Sequence, residues 1–181
     1  MRFRIFWVLL FIGISELLNA QKYFSKTGLV NFTSVAPLES IKAKTNSIQG
    51  VIDFDKNEFA VAVEMKSLHG FNSPLQKEHF HENYLESNIY PRATFTGKII
   101  EKFRLDLNGS FTIRAKGILD IHGVKNERII KIDVKVLDGK VFVKSNFDVL
   151  LVEHNINIPK IVNQKIAEKI LVNVEMTFEK Q

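Results

Sequence analysis

The sequence has no cysteine in its 181 residues. That excludes disulfides, thiol chemistry and a lipid-modified N-terminal cysteine, so the fold must be held by packing alone. Catalytic signatures are missing as well. There is no Gly-x-Ser-x-Gly elbow, no glycine-rich phosphate loop and no His-Glu-x-x-His. Acidic residues are plentiful, but most fall on the wet phase of strand-like segments, and no pair stands out as general acid and base. The reading is therefore no enzyme, although a triad is set by geometry and not by spacing, which leaves a site assembled at a barrel mouth as an alternative. A basic stripe is also lacking. The formal net charge of +5 is mild and the charges alternate rather than cluster, which argues against a nucleic-acid partner. No internal repeat, low-complexity tract or linker divides the chain.

Long apolar runs are confined to the start. Arg2 and Arg4 precede an apolar stretch from Ile5 to Ile14, and Leu18-Asn19-Ala20 ends in a small residue before Gln21. Residues 1–20 read as a secretory signal peptide, too short in its apolar part to span a bilayer. An uncleaved membrane anchor is the alternative. The expectation is one domain over residues 21–181, periplasmic or secreted after cleavage and not membrane-spanning.

Beyond the leader, a period of two dominates the chain. Phe59, Val61, Val63 and Met65 share one phase. So do Phe111, Ile113, Ala115, Gly117, Leu119 and Ile121, and likewise Ile130, Ile132, Val134 and Val136. Near the C-terminus Ile170, Val172, Val174, Met176 and Phe178 repeat the pattern. Such alternation marks sheets with one buried and one wet face. Asp138-Gly139 and Asn108-Gly109 read as two-residue hairpin turns, with Asp55-Lys56-Asn57 and His122–Asn126 as further candidates. Successive hairpins predict an all-β, up-and-down antiparallel sheet that closes on itself to remove its edges. About eight strands is the size at which a barrel holds one small ligand.

One segment breaks the pattern. From Ser67 to Ile99 the strand phase gives way to a helix and then returns. Ser73 suits an N-cap, Pro74 the first helical position and Gln76 a capping box. A helix over Ser73–Tyr84 is expected to act as wall or lid. A second short helix is open at residues 160–169. His79 and His81 lie on that first helix but point about 200° apart, so they cannot chelate one ion. His69, His122 and His154 could meet only through the fold. No metal and no cofactor is expected.

The same segment carries a resemblance. Ser67-Leu68, Glu78-His79-Phe80, Tyr84–Ser87, Tyr90-Pro91 and Ala93-Thr94-Phe95 resemble the central signature of the YceI-like lipid-binding family. Gly117–Val124 is similar to that family's Gly-x-Leu-Thr-Ile-x-Gly-Val block. His79 stands where the family has its helix histidine. Val30–Glu39 lacks the histidine that the family shows early, and Phe147–Pro159 replaces its usual ending, which marks a divergent branch. The resemblance implies a lipocalin-like barrel with a helix packed over it, an apolar tunnel holding a long isoprenoid or another amphiphile, and export to the periplasm. Some members are dimers, so a homodimer stays open.

Apolar strand phases pack solid barrels too, and from the residues alone a filled barrel serving as a structural or protein-interaction module stands beside a hollow one. The 15 phenylalanines, against one tryptophan and three tyrosines, suit an acyl or isoprenoid chain with no polar group to direct it. With the resemblance, the expected function is that of a non-enzymatic carrier that sequesters or shuttles an apolar, isoprenoid-type small molecule. The expected cavity residues, chosen by phase, are Phe32, Val61, Val63, Phe95, Ile113, Leu119, Ile121, Val134 and Phe147.

Overall fold

A computed structural model describes residues 22–180; the leader lies outside them. Ten strand segments form one antiparallel sheet: β1 (Lys22–Ser25), β2 (Gly28–Val35), β3 (Ser40–Thr45), β4 (Ile48–Asp53), β5 (Glu58–Glu64), β6 (Arg92–Ile99), β7 (Gly109–Ile121), β8 (Val124–Leu137), β9 (Lys140–Leu150) and β10 (Lys169–Lys180). The order β1-β4-β5-β6-β7-β8-β9-β10 closes through β10 pairing with β1. That is the closed eight-stranded barrel expected from the hairpin pattern. β1 and β2 are two halves of one bent strand on one flank of β10, and β3 and β4 are two halves of the next.

The bend has a local cause. Gly28 lies where β2 meets β10, and a Cβ there would come within 2.6 Å of the Glu175 carbonyl oxygen and 2.8 Å of Ile48. Only glycine fits so close an approach. Past this point β2 stays on β10 and carries β3 outward as a hairpin, while β4 goes on to pair with β5. The wedge so opened is filled by an insertion, the chain between β5 and β6 over residues 65–91. Its backbone covers the free edge of β3 through reciprocal hydrogen bonds between Lys44 and His69, which removes an edge that would otherwise template pairing with another chain.

The turns obey residue chemistry, with one correction. His122-Gly123 and Asp138-Gly139 both have positive φ at each position, the requirement of a type I′ hairpin. Asn108-Gly109 does not form a hairpin turn. β6 and β7 are joined by a loop over residues 100–108, and Gly109 already belongs to β7. Asn108 instead braces the neighbouring turn: its Oδ1 accepts from the Asp138 N–H at 3.0 Å. The dipeptide is a turn former by type, but here its amide is recruited by a turn thirty residues on.

The insertion is also shorter in regular helix than its pattern predicts. An α-helix, α1, spans Pro74–His79 and gives way to one π-helical turn over Phe80–Tyr84. Ser73 caps it, its Oγ accepting from the Gln76 N–H at 3.1 Å. The Gln76 carboxamide does not complete a capping box; it accepts from Asn72 N–H and donates to Glu39. Residues 160–169, where a second short helix was open, contain only a 3₁₀ turn at Lys160–Val162. No helix among the described residues is long and apolar enough to cross a membrane.

Candidate functional site

The barrel interior encloses a cavity of about 500 Å³. A filled barrel therefore does not describe this molecule. Two apolar clusters frame the cavity. One gathers Tyr23, Ile52, Ile99, Ile113, Val134, Val136, Val141 and Phe178 toward the end where the β4–β5 and β8–β9 turns lie. The other gathers Ala43, Met65, Leu68, Leu85 and Ile156 beneath the insertion.

Each expected cavity residue lines this space. Phe32 comes from β2, Val61 and Val63 from β5, Phe95 from β6, Ile113, Leu119 and Ile121 from β7, Val134 from β8 and Phe147 from β9. The period of two places them there, because a strand in this ring turns every second side chain inward. Registers agree: Val61 stands opposite Phe95, and Phe95 opposite Leu119. The Phe59 and Phe95 rings meet at 4.9 Å. Phe111, on the same phase as Ile113, instead joins the closed-end packing against Phe103.

The mouth lies under the insertion. There Phe32 stacks on Phe80 at 5.3 Å and a 13° interplanar angle, and Phe71 leans on both rings. The β2–β3 hairpin forms the centre of the rim. On one side Glu39 Oε1 accepts from Asn72 and Gln76, both at 2.9 Å, and so ties α1 to the hairpin. On the other, Leu38 N–H donates to the Gln164 carbonyl and Ala167 N–H donates to Ser34 Oγ, both at 2.8 Å. The charged or titratable residues lining the cavity are Glu39, His79, Tyr84 and Lys165, the first three on the hairpin and insertion and the last on the loop before β10. Below the rim the wall is aliphatic and aromatic; Ser145, one of the few hydroxyls there, donates to the Lys131 carbonyl. A chain with one polar end thus meets polar partners only at the mouth, and the rest of it meets hydrocarbon.

Sequence reasoning could not place the histidines. His79 lines the mouth. His81 sits behind it, its Nδ1 3.0 Å from Ser87 Oγ, and burial followed by the charge of Lys77 lowers its pKa from the ordinary value. His154 is fully buried. His122, in the β7–β8 turn, reaches Glu86 at 2.7 Å and packs on Tyr90. These contacts bind the insertion to the barrel top. Among the described residues no group of three or more His, Asp or Glu side chains is placed to hold a metal ion.

Known proteins share this architecture. The family model described as the YceI-like domain matches residues 25–178. A polyisoprenoid-binding domain from Saccharophagus degradans, implicated in plant cell wall breakdown, superposes with a TM-score of 0.76 at 15% identity, covering 90% of this chain and 99% of that one. BcnA of Burkholderia cenocepacia gives 0.69 at 11% identity over 83% of this chain and 95% of its own. The YCEI protein of Campylobacter jejuni gives 0.53 at 16% identity over 99% of this chain and 92% of its own. No curated protein sequence matches the chain.

Proposed function

Because the chain belongs to the YceI-like family, we propose that it is a carrier, not an enzyme, which holds the apolar tail of an isoprenoid or similar amphiphile inside the barrel and keeps it out of water. The observation that carries this reading is the cavity of about 500 Å³ behind a polar rim, with Ile113, Val134, Phe95 and Phe147 among its walls. Burying hydrocarbon there gains about 0.8 kcal/mol per CH₂, so a tail needs no directed polar contact to be retained. The polyisoprenoid-binding domain of S. degradans shares this architecture, which supports an isoprenoid as the tail. The basic and apolar leader supports an exported carrier, whose intact mass would begin at Gln21.

The test is to extract the protein purified from its host with organic solvent and identify what comes out by mass spectrometry, beside native mass spectrometry of the intact protein. A stoichiometric apolar adduct is expected. Ile113→Glu, which sets a carboxylate in the wall, is expected to lose the adduct while circular dichroism still reports a β fold. Val63→Asp repeats the test where burial is only partial. A folded variant that still carries its lipid, or a wild type that never carries one, would refute the assignment.

A further inference from the structure

The end of the barrel opposite the mouth is sealed by a loop, not by strands. β7 runs on below the last residue of β6, and residues 100–108 fold back over the gap. The loop is pinned at both ends. Ile100 N–H donates to the Arg114 carbonyl at 2.9 Å, Glu101 accepts from Arg114 N–H and Nε, both at 2.6 Å, and Asn108 braces Asp138. From its middle Phe103 points inward. Its ring meets Phe54 edge-on at 5.5 Å and 89°, and Phe111 at 5.5 Å; Phe54 meets Tyr23 edge-on in turn.

Phe103 lines the interior cavity, and it also lines a second, outer cleft of about 440 Å³ formed by Tyr23, Phe54 and the loop. Ile99 is the one other residue common to both spaces, and it is a strand residue paired with Ala115. One ring on a loop therefore stands between a hydrocarbon-lined interior and open water.

Resting on the carrier reading, we propose that Phe103 is the stop that sets the length of the bound tail. The ligand class is thus an amphiphile whose apolar tail enters at the mouth and ends against this ring, and not one threaded through the barrel into the outer cleft.

Saturated fatty acids of about ten to twenty-two carbons serve as the probe series, displacing an environment-sensitive apolar dye from the purified protein. Each buried methylene should tighten binding roughly fourfold. In the wild type that gain is expected to stop at a definite chain length within the series, because methylenes beyond the stop stay in water. Removing the Phe103 ring frees the volume of about three carbons and joins the cavity to the outer cleft. Phe103→Ala should therefore move the break in the curve by at least about three carbons and leave the shorter acids within about threefold. Phe103→Leu, which keeps an apolar anchor in the loop, should move it by about one carbon and serves where the alanine variant does not fold. Affinity that climbs without a break in the wild type, or a break unmoved in the folded variants, overturns the stop while leaving a carrier. No displacement by any acid overturns the carrier reading itself.

Discussion

The two ends of this barrel are built by different chemistry. The mouth is assembled from chain inserted between strands and is tied by polar links: Glu39 to Asn72 and Gln76, Ser34 to Ala167, His122 to Glu86. The closed end has short turns, one loop, and a train of rings from Tyr23 through Phe54 and Phe103 to Phe111. A net hydrogen bond is worth about 1 kcal/mol, so single links at the mouth can open and re-form. Interlocked rings have no such partial state; they are packed or they are not. The contrast suits a container whose one end must admit a guest while the other keeps water out.

The sharpest way to break that comparison is the same substitution at both ends. Phe178 is 2% exposed and packs with Ile52 and Val141 in the cluster toward the closed end. Phe178→Ala is expected to cost about 3–5 kcal/mol in denaturant unfolding, the range for deleting a buried ring. Phe80, half-buried over the mouth, should cost less than half of that as Phe80→Ala, yet speed the escape of a bound dye. Equal stability losses would remove the distinction between a structural end and a working end.

A smaller effect sharpens it. Ser73→Ala deletes the cap of α1 and should cost about 1 kcal/mol, with hydrogen exchange rising in α1 and not in the residue 100–108 loop. The smallest is a pH effect. Burial, then Lys77, hold the His81 pKa below its ordinary 6.5, and Lys66 adds to this against an opposing backbone hydrogen bond at Leu68. The unfolded chain therefore binds the proton more readily than the folded one. The stabilising contribution of neutral His81 is full above the ordinary value and declines as pH falls through it. His81→Gln should flatten stability across that window, while Phe103→Leu at the other end should leave the slope unchanged.

Inward positions were the most legible part of the sequence, and for a plain reason. A strand has a period of two, so once Val61 or Ile113 is assigned inward every second neighbour shares its side. That rule needs no knowledge of what lies across the barrel. Turn dipeptides were less secure, as the contrast between Asp138-Gly139 and Asn108-Gly109 shows. Both tolerate positive φ, but only the first is flanked by strands that pair directly. Illegible altogether were the features made by distant segments. Phe54 and Phe103 sit on separate loops, and nothing in either neighbourhood announces the other. The burial of His154 likewise depends on the β7–β8 turn that carries His122, whose Nδ1 faces the His154 carbonyl at 3.1 Å. The split of β1 from β2 is announced only by Gly28, one glycine among nine.

Ring closure depends on β10, which pairs with β9 on one flank and with β2 and β1 on the other. It joins the first strand of the described fold to the last, so the contacts that complete the barrel are those of greatest sequence separation, and such contacts form late and slowly. Without Lys169–Lys180, β9 on one side and β1 and β2 on the other lose their partner, and the interior lies open to solvent. One strand thus serves as the clasp of the whole ring, and a lesion that unseats it undoes both of its seams together.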